Sequence, residues 1–301
     1  MIGKLRELFG PGATGAGAAA GPRRRVNLEK RFTIVAETSR GSMSRVYRAI
    51  DNETGRTVCL KVQLQEKNAA AASRTKTAEP RPLEGEIATR FNHPHIVRSY
   101  EYGDTRKGEH FLVMEYIDGL SLQYVRETRS ARTAQRVEFL AQAAEGLAAV
   151  HEAGFIHHDI NPRNFLVDRA QMVKLIDFGL TVPNTPAFRK PGNRTGTLQY
   201  MAPELLRREP IDERIDIFAF GVLAFEFLTD RLPYDANNNA TLMLQRINTE
   251  PLDPRVVKPK LSDEICQILR RLTARRPVDR WAKLSTLPEA LRSVPAKRKR
   301  D

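Results

Sequence analysis

Apolar and polar positions alternate most clearly in the first third of the chain. Phe32-Thr-Ile-Val-Ala-Glu37 reads as a strand and is followed by the polar, glycine-containing loop Thr38-Ser-Arg-Gly-Ser-Met-Ser44. Arg45–Ile50, the turn Asp51-Asn-Glu-Thr-Gly55 and Thr57–Leu64 complete a strand–loop–strand–turn–strand meander. Side chains alternate across a strand, so Val58, Leu60, Val62 and Leu64 share one face and Cys59, Lys61 and Gln63 the other. Lys61 is thereby aimed away from the apolar face.

Further along, the period changes. Residues 65–80 are polar and alanine-rich without a clear amphipathic period, and read as a mobile connection. Leu83–Phe91 looks helical, and Phe111–Ile117 reads as a buried strand running into Asp118-Gly119. Apolar residues at 140, 143, 147 and 150 predict an amphipathic helix over Thr133–His151, with Gly154 as its stop. The short runs Asn164–Val167 and Met172–Ile176 predict a hairpin. Ile215–Leu228 is apolar almost all round and predicts a buried helix, whose early charge, Asp216, must then be hydrogen-bonded. Between these, Leu180–Leu198 is long and irregular, a kind of stretch that usually serves function.

Composition narrows the class. The length of 301 residues suits one large or two small domains, and a 41% hydrophobic content is enough for a core. No apolar run approaches the roughly 18 residues of a membrane span. The first 25 residues are Gly/Ala/Pro-rich, end in Arg23-Arg24-Arg25 and lack the apolar centre of a signal peptide, so a flexible leader is expected. Cys59 and Cys266 are the only cysteines, which argues against a disulfide framework and suits a reducing, cytoplasmic setting. The net charge of +13 is concentrated partly in Arg23–Arg25 and in Lys297-Arg-Lys-Arg300. Such tails either contact acidic partners or are simply solvated.

The chemistry lies in Phe155-Ile-His-His-Asp-Ile-Asn-Pro-Arg-Asn-Phe-Leu-Val167 and, beyond it, Lys174-Leu-Ile-Asp-Phe-Gly179. Asp159, Asn164 and Asp177 are what phosphoryl transfer from a metal–nucleotide needs: one carboxylate for the hydroxyl nucleophile, an amide and a second carboxylate for Mg²⁺. With Gly196-Thr-Leu-Gln-Tyr-Met-Ala-Pro-Glu204 in the right order, the chain resembles the protein kinase family over about residues 32–293, most closely the bacterial-type serine/threonine kinases.

The resemblance implies an α+β, bilobal fold. A small, mainly β lobe with one regulatory helix would cover 26–117, and a larger, mainly α lobe 118–293, between the leader (1–25) and a basic tail (294–301). It implies ATP and Mg²⁺ as cofactors and a protein as substrate. Oligomeric state is left open. Ser39, Gly41 and Ser44 would form the phosphate-covering loop, and Lys61 would hold the α/β-phosphates. Glu84 would pair with Lys61, with Glu86 as the alternative. Backbone groups of Glu115 and Ile117 would bond the adenine edge, with Met114 behind it and Val46, Cys59 and Leu166 sandwiching the ring. Asp159 would be the catalytic carboxylate, Thr197 would keep it in register, and Asn164 and Asp177 would hold the metal. Asp216 would accept backbone N–H groups of the catalytic loop, and Arg280 would pair with Glu204.

Three positions depart from the family pattern. The loop is Ser/Gly/Ser rather than glycine throughout. His158 stands where many kinases place the arginine that receives an activation-loop phosphate, so phosphorylation of Thr185 or Thr195 is expected to be dispensable, and loss of activity in a double alanine variant would refute this. Asn161 stands where serine/threonine kinases carry a lysine, and a neutral amide cannot offset transition-state charge as a cation does. A slow kinase, or one borrowing a cation such as Arg163, is one consequence. A pseudokinase that binds nucleotide without turnover is the alternative function. A small-molecule kinase is the third, disfavoured by the Gly196–Glu204 segment.

Overall fold

The computed structural model describes residues 25–40, 44–63, 79–190, 195–234, 236 and 238–295. The leader to residue 24, Gly41, Leu64 at the end of the expected third strand, residues 65–78 of the expected mobile connection and the basic tail from 296 lie outside the described residues, as do the side chains of Ser39 and Arg40.

After a two-residue strand β1 (Arg25–Val26) and one turn of helix α1 (Leu28–Arg31) comes the meander: β2 (Phe32–Arg40), β3 (Ser44–Asp51) and β4 (Thr57–Gln63). A short helix α2 (Glu84–Ala88) follows, then β5 (Ser99–Thr105) and β6 (His110–Glu115). The six strands form one sheet in the order β1-β5-β6-β4-β3-β2. Its ladders are antiparallel except for β1 against β5. The register sets Val46 opposite Lys61 and Lys61 opposite Leu112. The alternation in β4 separates two cores. Val58, Leu60 and Val62 pack with Phe32, Phe111 and Val113 on one face, whereas Cys59 packs against the main core. Helix α2 is shorter than Leu83–Phe91, because the chain turns at Thr89 and leads through 92–97 onto the second half of the molecule.

That half is mostly helical. It opens with β7 (Gly119–Ser121), α3 (Leu122–Glu127) and α4 (Thr133–Glu152). Gly154, at φ 79°, ends α4 in a conformation that costs glycine little. The two-residue strand β8 (Phe155–Ile156) and the hairpin β9 (Phe165–Asp168) and β10 (Val173–Leu175) follow; β9 also pairs with β7. β11 (Val182–Pro183) returns to pair with β8, so the long irregular stretch is anchored at its start. Helices α5 (Pro203–Arg207), α6 (Arg214–Thr229), α7 (Asn239–Asn248), α8 (Pro254–Val257), α9 (Asp263–Leu272) and α10 (Leu287–Ser293) complete it.

Helix α6 is buried from Ile215 to Thr229, with Phe218, Phe220, Phe225 and Phe227 among the largest enclosed side chains. Burying such a ring stabilises by about 1.5–3 kcal/mol, which makes α6 the axis against which α3, α4 and α9 pack. The architecture is the bilobal α+β arrangement: a curled, mainly β part beside a helical part, with β8–β10 at their junction.

Candidate active site

Asp216 lies at the start of α6 with both oxygens turned toward the loop after β8. Oδ2 accepts His157 N (2.7 Å) and Oδ1 accepts His158 N (2.9 Å), while His151 Nε2 sits 3.0 Å from Oδ2. Burial opposes ionisation of Asp216, but the contact with His151 holds its carboxyl below the usual range. With these two N–H groups held, His158 sits at φ 68°, and the chain reverses so that Asp159 faces the junction.

Asp159 is oriented from two sides. Its Oδ1 accepts Thr197 N (3.0 Å) and Thr197 Oγ1 (2.8 Å), and its Oδ2 accepts Asn164 Nδ2 (3.0 Å). Gly196, at φ 110°, allows the close approach: a Cβ there would run into the carbonyl oxygen of His158. Asn161 is 4% exposed, and its amide is fully used. Nδ2 donates to Asp159 O (3.2 Å) and Thr197 Oγ1 (3.4 Å), and Oδ1 accepts Arg163 N (3.0 Å). Arg163 Nε donates to Gln123 Oε1 of α3 at 2.6 Å.

Across the junction, Lys61 Nζ donates to Glu84 Oε1 (2.7 Å) and Asp177 Oδ1 (2.9 Å). Burial works against the ammonium, but the carboxylates of Asp177 and Glu84 outweigh it and hold Lys61 above its ordinary range. Burial likewise opposes ionisation of Asp177, and Lys61 overcomes it and holds that carboxyl low. Burial pushes Glu84 up against the pull of Lys61. Glu86, the alternative partner for Lys61, instead accepts Leu83 N at 3.0 Å and caps α2. The hairpin brings Asn164 beside Asp177 through Ile176 N→Asn164 O (3.0 Å), and Gly179 N caps Asp177 Oδ1 (2.8 Å).

Val46, Cys59, Ile117 and Leu166 are all half-buried, and Met114 lies buried beside Cys59 across the β4–β6 ladder. Burial pushes the Cys59 thiol up to about 11, so it acts as an apolar wall. The Glu115 side chain is held by Lys174 Nζ (2.6 Å) and Arg98 N (2.7 Å), which fixes the strand end next to Ile117. Ser44 opens β3 opposite Gln63, and Ser39 pairs with Val46 through its backbone. Gly41, between them, lies outside the described residues.

This geometry has a counterpart in known proteins: the protein kinase domain matches residues 32–292. The chain belongs to the protein kinase family. It is 33% identical over 276 residues to a probable serine/threonine-protein kinase, pknA2, of Bifidobacterium longum, covering 89% of this chain and 36% of that protein. It is 32% identical over 258 residues to the serine/threonine-protein kinase PknL of Mycobacterium tuberculosis, covering 85% of this chain and 63% of the other. Pkn3 of Myxococcus xanthus, also a serine/threonine-protein kinase, is 27% identical over 282 residues, covering 90% and 51%. The kinase domain thus spans between about a third and two thirds of the length of these relatives.

In this kinase domain Arg280 donates two hydrogen bonds to Glu204, Nη1→Oε1 at 2.6 Å and Nη2→Oε2 at 2.7 Å, tying the Ala202-Pro203-Glu204 end of the Gly196–Glu204 segment to the helical core. Tyr200 OH donates to Glu226 Oε2 (2.6 Å), and Arg126 Nη1 lies 2.9 Å from Glu226 Oε1. Burial holds the His158 imidazole down at about 4, so it is neutral, with Thr195 Oγ1 at 3.5 Å from Nδ1. Among the described residues no helix is long and apolar enough to cross a membrane.

Several contacts escaped the sequence reading. Gln63 Nε2 donates to Glu84 Oε2 (2.7 Å); its position two residues after Lys61 on the same strand face was the available signal. Arg81 Nη2 reaches Gly179 O at 2.5 Å across 98 positions, and nothing local announces it.

Proposed function

We propose that this kinase domain transfers the γ-phosphoryl group of ATP to serine or threonine hydroxyls of proteins, its own chain among the acceptors. The observation that carries the reading is the double anchoring of Asp159 by Thr197 and Asn164, opposite an assembled Lys61–Glu84–Asp177 cluster. The names of the relatives, serine/threonine-protein kinases, support the same acceptor class.

In this reading Asp159 orients the acceptor hydroxyl and takes its proton, while Thr197 and Asn164 keep its carboxylate in line. Lys61, kept charged by Glu84 and Asp177, meets the α/β-phosphates. Ser39 and Ser44 are assigned to the phosphate-covering loop together with Gly41, which lies outside the described residues. The Glu115 and Ile117 backbone meets the adenine edge, and Val46, Cys59 and Leu166 enclose the ring. Positioning and charge neutralisation supply most of the catalysis in this reaction class. The neutral amide of Asn161 keeps the catalytic loop and Thr197 together instead of countering phosphate charge, which makes the expected turnover slow.

The donor set suits magnesium. Asn164 uses its amide nitrogen on Asp159, and Asp177 Oδ1 takes Lys61 and Gly179. Among the described residues no donor reaches Asn164 Oδ1 or Asp177 Oδ2, so two oxygens remain for a hard cation. Magnesium keeps several waters and is commonly held by one or two protein oxygens together with substrate phosphates, which two such oxygens suit. When bound, magnesium would neutralise phosphate charge; Asn164 and Asp177 are the residues to hold it.

The same reading divides the domain between Ile117 and Asp118, with lobes over 26–117 and 118–293, and takes a cytoplasmic setting with the basic ends meeting acidic partners. The test is transfer of radiolabelled γ-phosphate from ATP with Mg²⁺ to the protein itself and to a basic protein, wild type beside Asp159→Asn. Label that vanishes in the variant is expected. Absence of label, with ATP still raising thermal stability, would replace the enzyme by a nucleotide-binding scaffold.

A further inference from the structure

Helix α7 buries only two of its side chains, Leu242 and Arg246, one turn apart on the same face. Arg246 is fully enclosed at 0% exposure. It has no carboxylate partner among the described residues. Nη1 donates to Met201 O and Nη2 to Gln199 O, both at 2.8 Å. Its guanidinium lies 4.6 Å from the Tyr234 ring centre and 5.4 Å from that of Phe218. Its Nε has no hydrogen-bond partner. Burial lowers Arg246 to about 10, which still leaves it charged at neutral pH.

A buried cation without a counterion is expensive, and an apolar side chain of similar volume would do the packing at lower cost. Two carbonyls and two ring faces offset part of that cost. What the guanidinium supplies beyond packing is geometric. Its rigid fork spans two carbonyls that flank Tyr200. Those carbonyls belong to the turn Leu198–Tyr200 and the residue after it, with Tyr200 N→Thr197 O at 2.9 Å and Met201 N→Leu198 O at 3.3 Å. The segment is thereby held at three places: Thr197 on Asp159, Tyr200 on Glu226, and the Gln199 and Met201 carbonyls on Arg246.

We propose that Arg246 is a positioning residue for the acceptor protein: it holds the 197–201 turn in the shape that receives the peptide beside Asp159. The inference rests on the kinase reading for its consequence, but not for its geometry. It acts through the backbone of Gln199 and Met201 and touches neither nucleotide nor phosphate.

The test compares Arg246→Met, which keeps apolar bulk and removes the fork, with Arg246→Lys, which keeps a charge and one donor direction. For Arg246→Met, thermal stability at or above wild type is expected, since a lone buried charge is gone. Amide hydrogen exchange at Tyr200 and Met201 is expected to quicken about tenfold or more. In peptide phosphorylation, KM for the peptide is expected to rise about tenfold, with KM for ATP within about twofold of wild type. Arg246→Lys should fall between the two on each measure. Unchanged exchange at Tyr200 and Met201 in Arg246→Met would overturn the proposal, as would an unchanged peptide KM in an active enzyme. Wild type that transfers no phosphoryl group would sink the kinase reading, and the exchange rates would still decide the role of Arg246. Should Arg246→Met not fold, Arg246→Lys with wild-type exchange at these two amides would overturn it.

Discussion

Thr197 is joined to Asp159 twice, through its backbone N–H at 3.0 Å and its hydroxyl at 2.8 Å, and both bonds end on the same carboxylate oxygen, Oδ1. The two residues are 38 positions apart, and the contact closes the Gly196–Glu204 segment onto the loop after β8. A hydrogen bond to a charged group contributes about 1.5–3 kcal/mol. Thr197→Ala is therefore expected to lower kcat by about tenfold to a hundredfold, with little change in KM for ATP, while Thr197→Ser retains most of the rate. Steady-state kinetics on the three proteins checks this; an alanine variant as fast as wild type would remove Thr197 from the machinery.

Asn161 trades charge for loop structure. Replacing it with lysine loses the bond from Arg163 N to Oδ1, at about 1 kcal/mol. It also restores a cation beside Asp159, an effect worth about tenfold or more in rate. The expected outcome for Asn161→Lys is a faster but slightly less stable enzyme. A drop in both rate and melting temperature would show that the amide is needed where it is.

Arg280 and Glu204 form a buried bidentate pair, with the arginine side chain fully covered. Removing one partner strands the other charge, so Arg280→Met alone is expected to destabilise by about 3–5 kcal/mol. The double variant Arg280→Met/Glu204→Met should recover part of that loss. Urea unfolding of wild type, single and double variants provides the comparison, and equal destabilisation in both variants would contradict the pair as the cause.

Stability should fall on acidification through His158. Burial holds its folded-state pKa at about 4, against about 6.5 for an ordinary histidine. The unfolded chain therefore takes the proton first, so this contribution is whole above about pH 6.5 and is lost as pH falls toward about 4. The loss for this group amounts to at most about 3 kcal/mol. His157 is depressed by burial as well and contributes in the same direction. His158→Asn, which tolerates the left-handed backbone at this position, is expected to flatten the difference between unfolding free energies at pH 7 and pH 4.5. An unchanged difference would assign the acid sensitivity elsewhere.

Much of the fold could be read directly. The β2–β4 meander, the hairpin β9–β10, α4 and the buried α6 all fall close to where apolar periodicity predicts them. These are local properties: alternation and the helical repeat are set by backbone geometry within a few residues, and an all-apolar stretch has to be buried. The residues proposed for phosphoryl transfer, Asp159, Asn164 and Asp177, likewise sit in short segments, so they can be named from the chain alone. Even the placement of Lys61 on the face opposite Val58, Leu60 and Val62 followed from alternation alone.

What tertiary structure decided was which groups meet. Glu84 and Glu86 lie two residues apart on one short helix, and only the packing of α2 against the sheet sends Glu84 to Lys61 and leaves Glu86 to cap the helix. Arg163 meets Gln123 of α3 across 40 positions, a contact that no local pattern gives. Asn161 stands where a lysine is expected, and only the tertiary structure brings its amide between Asp159 O and Thr197 Oγ1. Arg246 carried no signal at all, because a lone arginine on a mostly exposed helix reads as solvated. Hydrogen bonds between groups tens of residues apart depend on orientation to within a few tenths of an ångström, and that precision arises only when the whole core has packed.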